Sequence, residues 1–519
     1  MLVRMPPPDL IVTNGNLITL DAKQPRASAM AVRDGRLVAV GDDIESILLA
    51  GPQTRLIDLG GKTVTPGFID SHLHLFWYGR QLLREADLVG SASIDDILGR
   101  LAGIAKRSDG WIQGHGFDQD KLAEKRFPTR AELDKVSPTR PIIISRICGH
   151  AVVVNSAAIA MVRDDERRRG DAETGLYTEG DSNAFYRRIP KLSEAEFEEA
   201  ALAACRVALR SGITSVQTLL DSHEMVMDFV RLWRNSRLPI RITGMPPYES
   251  VEFLHEIDIG TGHGDEWFNI GAAKLFSDGS LGAQTAWLAE PYADKPETRG
   301  IRIYDPDDLK RKAADAQAKG FQVAIHAIGD QAVRETIDAI EFALDSAGGA
   351  GGTNERHRHR IEHASVTPPD CLERMAKRKI IATLQPQFVT SDTWTGQRLG
   401  PRRTPWAYPF RTMLEAGVPV TLSSDCPVER LDAFAAIASA VGRHAWSAPN
   451  ETLTAEQAIR AYCMGSAYAG FAEERVGSLE PGKLADFVVL SADPTKLSAD
   501  AIANVKAQRV FVGGVEVEQ

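Results

Sequence analysis

His72 and His74, within Pro66-Gly67-Phe68-Ile69-Asp70-Ser71-His72-Leu73-His74-Leu75, are spaced to bind a metal. Side chains at i and i+2 of a strand point the same way, so two imidazoles so placed can grip one ion. The entry turn Val64-Thr65-Pro66-Gly67 and the apolar Phe68 and Ile69 give the pair a buried strand to stand on. Taken alone, a His-x-His pair is more often two satisfied or surface histidines. Four further apolar runs shift that balance, because each ends in a residue able to reach a cation: Ile270 to Lys274, Phe321 to His326, His359 to His363, and Val418 to Asp425. A ligand at the carboxyl end of each of several strands is what a parallel (β/α)8 barrel requires, since its active site sits at that face.

The elements that would position these residues can be read on either side of them. Candidate barrel strands are Gly67 to His72, Ser215 to Leu219, Ile240 to Gly244, Gly271 to Leu275, Gln322 to His326, His359 to His363, Ile381 to Gln385 and Pro419 to Ser423. Helical spacing of apolar residues marks Glu194 to Arg210, Asp307 to Lys319 and Ala332 to Ser346 between them. The connection from the first strand to the second, residues 76 to 212, is far longer than a loop plus one helix. It carries signals of its own at Ile94 to Arg107, Trp111 to Gly116, Pro141 to Ser145 and Ala151 to Val154, and reads as an inserted α/β subdomain over the barrel mouth. Gly348 to Gly352 is the one low-complexity stretch and reads as a loop.

Both ends of the chain are β-rich. Asn14-Gly15 and Asp34-Gly35 between short apolar runs are hairpin signals, and Gly482 to Leu490 and Val510 to Val515 repeat the style. The expected fold class is therefore α/β, a (β/α)8 TIM-like barrel with a small β-sandwich built from both chain ends and an inserted α/β subdomain. The expected division is 1–64 with 475–519 for the sandwich, 65–75 with 196–474 for the barrel, and 76–195 for the insertion.

Bulk composition narrows the function classes. With 519 residues, 43% hydrophobic and 25% charged, the chain is an ordinary globular one. A net charge of −10 and a pI of 5.7 argue against a nucleic-acid partner. The opening Met1 to Pro8 breaks before a signal-peptide core, and no segment approaches the ~20 apolar residues of a membrane span. Five scattered cysteines without CxxC spacing suit a reducing cytoplasm, so a cytoplasmic location is expected.

The pattern PGFIDSHLH, KLFSDGSLGAQTA, AIHAIGD, RIEHAS and SSDCPVE, closed by GSLEPGKLADFVVL, resembles the amidohydrolase superfamily over nearly the whole chain. It is closest to the branch that includes N-substituted formamide deformylase and D-aminoacylase-like proteins. The resemblance implies that His72 and His74 hold the more buried metal and His326 and His363 the more exposed one, with Asp425 as the terminal carboxylate beside the attacking water. It also implies that Lys274 reacts with carbon dioxide to give a carbamate bridging two ions. Carboxylation reverses the sign of the lysine and supplies two oxygens, whereas an ammonium cannot bind a cation. An ammonium paired with Asp278 at a one-metal site is the alternative. Imidazole and carboxylate donors suit two Zn²⁺ or another divalent metal. Such an ion lowers the pKa of a bound water from 15.7 to about 7, and Asp425 would pass the water's proton to the leaving nitrogen.

His150 and Glu179 are candidates to touch a substrate from the insertion, and Gln385 and Arg411, at or after the end of the seventh strand, to orient a polar group. The aromatics Phe76, Trp77, Tyr78, Trp287, Phe388, Trp394, Trp406 and Tyr408 fall on expected mouth loops and would give the pocket an apolar side. The expected activity is metal-dependent hydrolysis of a small non-peptide amide such as an N-substituted formamide or N-acyl amine. A deaminase or cyclic-amide hydrolase, or a binding or regulatory protein on the same scaffold, are the alternatives. No nucleic-acid or membrane partner is expected, and a homo-oligomer remains compatible with the sequence.

Overall fold

The structure, a computed structural model, describes residues 6–43, 49–106, 109–346, 357–442 and 447–518. The glycine stretch Gly348 to Gly352 and the last residue of the helix expected at Ile94 to Arg107 lie outside them.

Among the described residues, eight parallel barrel strands follow the order of the chain. The first four, Phe68–Leu73, Ile213–Leu219, Arg241–Met245 and Phe268–Ile270, form one sheet; Ala273–Phe276, Val323–Ala327, Arg360–His363, Ile381–Leu384 and Val420–Leu422 form the next. The fourth strand is thus divided, its first half pairing with the third strand and its second with the fifth. The break falls at Gly271, where a Cβ would stand 2.7 Å from the Thr243 side chain. A side chain at this position would collide with the Thr243 methyl, so glycine leaves the room the turn needs. The eighth strand closes onto the first through Asp425 N to His72 O (2.8 Å) and His74 N to Cys426 O (2.7 Å).

These strands are short apolar runs because both faces of a parallel barrel strand are covered. Ile213–Leu219 is buried at every position. The helix Glu194–Arg210, which returns the chain from the insertion to the second strand, starts at a reciprocal cap: Ser193 Oγ accepts from Glu196 N, and Glu196 accepts from Ser193 N at 2.8 Å. Such a cap is worth about 1 kcal/mol.

Between the first strand and that helix lies a separate five-stranded sheet in the order 176–178, 151–154, 142–146, 112–117, 86–87. It has its own core around Leu88, Leu101, Ile112, Phe117 and Ile144. At the other side of the barrel the chain ends meet. Asn16–Ile18 and Thr63–Pro66 share a six-stranded sheet with Phe487–Leu490 and Ala507–Val512, over a four-stranded sheet of residues 10–13, 29–33, 36–41 and 55–58. Phe487 and Phe511 stack at 4.2 Å inside the sandwich. Arg241 of the third barrel strand fixes this module with two bonds to Asp486, at 2.6 and 2.9 Å.

Candidate metal centre

The first strand carries His72 and His74 to the rim. The eighth ends at Asp425, whose φ of 57° turns its carboxylate inward. The sixth strand ends with His363 and Ala364 at φ 75° and 45°, left-handed positions that break the strand and set the imidazole at the rim. Left-handed non-glycine residues cost of order 1 kcal/mol each and cluster at functional sites. The outcome is that one ligand atom from each of His72, His363 and Asp425 lies within 4.8 Å of the others, all three residues being buried. Asp425 Oδ1 stands 3.3 Å from His72 Nε2 and 3.5 Å from His74 Nε2. Burial alone would raise the Asp425 carboxyl; the His72 and His74 imidazoles hold it well below the usual range.

The tautomers follow from the outer hydrogen bonds. His363 Nδ1 lies 2.8 Å from Gln385 Oε1, an oxygen that can only accept, so Nδ1 carries the proton and Nε2 keeps its lone pair. His326 lies 4.5 Å from the His363 ring, and its Nε2 is 3.1 Å from Gly279 O, which leaves Nδ1 as its free lone pair. Burial pushes His363 down to about 3 and His326 well below its ordinary value, so both imidazoles are neutral.

Lys274 sits on the second half of the fourth strand with Nζ buried and without a hydrogen-bond partner, 4.6 Å from the Phe276 ring centre. Burial lowers it to about 8, against the pull of Glu362 and Asp425. Asp278 is not its partner. That carboxylate accepts from Trp287 N (2.9 Å), Ile328 N (3.0 Å) and Gly329 N (2.8 Å), and burial lifts it to about 8 despite them.

The insertion reaches the same rim. His150 Nδ1 is 2.8 Å from Glu179 Oε2, and the His150 ring lies 5.3 Å from that of His326. Glu179 is doubly tied, its N donating to His150 O at 2.9 Å, and adopts φ 50°. It packs on Gly279, where a Cβ would meet Glu179 Oε1 at 2.4 Å. Burial opposes charge on His150, but the adjoining Glu179 carboxylate lifts it to about 9.

Two expected site residues are placed otherwise. Gln385 is buried, its side chain bonded to His363 Nδ1 and to Ser423 Oγ (2.9 Å). Arg411 is not at the site. Its helix Phe410–Glu415 buries Phe410 and Met413, which turns position 411 to solvent, where it pairs with Glu415 at 2.7 Å. Of the expected mouth aromatics, Trp77 stacks on His74 at 4.8 Å and Phe388 on His363 at 6.2 Å, whereas Phe76 packs on Phe197 at 4.4 Å. Phe276, not foreseen, faces His326 at 5.4 Å.

Sequence reasoning also missed Glu362 and Arg360. Glu362 is fully buried, bonds His72 Nδ1 and is gripped by Arg360. The available signal was two opposite charges at i and i+2 in a strand read as buried, which must face each other's surroundings inside the barrel.

The cluster of His72, His363 and Asp425, with the neutral imidazoles of His326 and His363 and a buried orphan oxygen at Asp425 Oδ1, forms a donor set that fits a divalent cation. A parallel barrel carrying such a set at the carboxyl ends of its strands defines a metal-dependent hydrolase. The Amidohydrolase family model matches residues 55–518, and the chain belongs to that family. It is 31% identical to the putative amidohydrolase YtcJ of Bacillus subtilis over 96% of this chain and 97% of that one. It is 27% identical to N-substituted formamide deformylase of Arthrobacter pascens over 98% of each. An uncharacterised metal-dependent hydrolase from Pyrococcus furiosus superposes with a TM-score of 0.78 at 32% identity, covering 94% of this chain and all of the other. The protein is a metal-dependent hydrolase acting on carbon–nitrogen bonds. Among the described residues, no helix is long and apolar enough to cross a membrane.

Proposed function

We propose that the chain cleaves a small non-peptide amide, an N-substituted formamide or N-acyl amine, at a site for two divalent cations, zinc by preference. His72, His74 and Asp425 would hold one, His326 and His363 the other, and Lys274, as a carbamate, would join them. When bound, such ions acidify water and polarise a carbonyl. The residues of the chain do the rest: Asp425 Oδ1 accepts the proton of the attacking water and returns it to the leaving nitrogen, while His150, held by Glu179, hydrogen-bonds the substrate from the insertion side. The aromatic faces of Trp77, Phe276 and Phe388 beside three of the imidazoles support an apolar substituent on the amide. The likeness to N-substituted formamide deformylase supports a formyl group on the acyl side.

The observation that carries this reading is the Lys274 amine, buried without an acceptor beside Asp425 and the His326 and His363 imidazoles. A buried cation so placed is costly; once it gives up a proton, the neutral amine adds carbon dioxide with loss of a second proton, and the resulting carbamate anion could bind cations. The test is metal analysis of protein grown with zinc and bicarbonate, with a panel of formamides, N-acyl amines and small lactams. About two ions per chain, a mass increment of one carbon dioxide on Lys274 and turnover of the acyclic amides are expected. One ion with an unmodified lysine, or turnover confined to the lactams, would sink it.

A further inference from the structure

Inside the barrel, directly beneath the metal ligands, lies a charge pair that the sequence of ligands does not explain. Arg360 and Glu362 alternate on the sixth strand, so both point to the barrel axis. Both are buried, at 1% and 0% exposure, where an uncompensated charge would be strongly unfavourable. Arg360 engages Glu362 through two nitrogens, one at 3.2 Å, and also bonds Gln217 of the second strand and Ser71 O of the first at 2.5 Å. Glu362 spends its other face on His72 Nδ1. In the strand register Glu362 lies level with His326.

A carboxylate cannot donate, so the proton of this bond resides on His72 Nδ1, and Nε2, which faces Asp425 Oδ1 3.3 Å away, is the nitrogen left for a metal. We infer that Glu362 is the positioning residue of the metal centre: clamped by Arg360, it locks the His72 ring and tautomer so that Nε2 is the donor atom, and raises that nitrogen's basicity. The sixth strand then serves the site with two adjacent residues, Glu362 through His72 and His363 itself. A ligand histidine held at its second nitrogen by a carboxylate binds metal more tightly, and loss of such a partner typically lowers affinity 10- to 100-fold. The inference rests on the metal-dependent reading of the site and needs neither a second ion nor the carbamate.

Two measurements test it on the full chain. In the metal-free protein labelled with ¹⁵N-histidine, the His72 ring, identified by its loss in His72→Gln, is expected to hold a strongly downfield proton on Nδ1. Observation of the Nε2–H tautomer overturns the inference, and this readout needs no change at Glu362. Second, Glu362→Leu is made together with Arg360→Met, since the single change strands a buried guanidinium. The double variant is expected to keep the metal-free melting temperature within a few degrees and to weaken zinc binding, measured by chelator competition, by roughly 10- to 100-fold. Gln217→Leu, which touches Arg360 but not His72, is expected to leave zinc binding unchanged. Zinc binding within about threefold of the parent in the double variant, or an equal loss in Gln217→Leu, overturns the inference. Should the double variant not fold, the tautomer decides. A parent chain that binds no zinc at all would instead remove the metal reading itself.

Discussion

His363 Nδ1 donates to Gln385 Oε1 across 2.8 Å, and the amide nitrogen of Gln385 donates onward to Ser423 Oγ at 2.9 Å. This chain runs from the sixth barrel strand through the seventh to the eighth, so the orientation of one metal-facing imidazole is set by two neighbouring strands. Gln385→Leu keeps the volume and removes the acceptor. The His363 ring is then free to turn, and metal affinity is expected to fall about tenfold, with the fold intact by circular dichroism. Titration of the metal-free protein with zinc against a chelator provides the check; unaltered affinity would remove the orienting role of Gln385.

The insertion makes a different contribution. Glu179 meets His150 through both side chain and backbone, but neither bonds a metal-facing imidazole directly in the way Gln385 does. Glu179→Gln substitutes a neutral amide for the carboxylate beside His150, so the imidazole loses its charged partner at Nδ1. Turnover is expected to drop by roughly 10²-fold while metal content stays at the parent value. Steady-state kinetics and metal analysis on one preparation separate this from damage to the centre, and a parallel loss of metal would contradict it.

Trp77 is the most accessible of the aromatics at the rim, 36% exposed and stacked within 17° of the His74 ring plane. An indole in this position can cover an apolar substituent on the substrate, while a substrate without one gains nothing from it. Trp77→Ala is expected to raise KM for N-benzyl or N-alkyl amides about tenfold, equivalent to ~1.4 kcal/mol, and to leave unsubstituted formamide unaffected. Equal losses on both substrates would show that the indole acts on His74 and not on the amide.

The barrel was legible because its strands, buried on both faces, read as short apolar runs, and because five of them end in residues that stand out from such runs. What the sequence hid were tertiary relations. The interruption of the fourth strand depends on how closely Gly271 approaches Thr243, a distance no spacing reveals. Arg411 follows the seventh strand in sequence, but the helix it enters buries Phe410 and Met413, and only the rotation of that helix shows that the guanidinium faces away. Gln385 was visible as a polar residue at a strand end; that it faces His363 depends on the neighbouring strand. His363 drew attention as a ligand type, while Glu362 beside it was hidden by being adjacent, since neighbours on a strand normally face opposite ways. The left-handed turn at His363 sets both at the centre, one inside the barrel and one at its rim.

The sandwich and the barrel are joined by a buried ion pair whose removal should be felt in stability and not in chemistry. Arg241 and Asp486 are 6% and 4% exposed and make two bonds at 2.6 and 2.9 Å, and Asp486 accepts a third from Gly513 N at 2.7 Å. Arg241 also donates to Glu266 O at 3.0 Å and lies 4.7 Å over the Trp267 ring. Asp486→Asn leaves the guanidinium buried beside a neutral amide, and breaking a buried pair at one partner costs about 3–5 kcal/mol. A lowered urea midpoint is expected, with turnover per folded molecule unchanged because none of these residues approaches the rim. Arg241→Met combined with Asp486→Leu removes both charges and should recover most of the loss, since a packed apolar pair is often as stable as the ion pair it replaces. If the double variant were less stable than Asp486→Asn alone, the hydrogen bonds to Gly513 and Glu266, and not the uncompensated charge, would account for the stability of this junction.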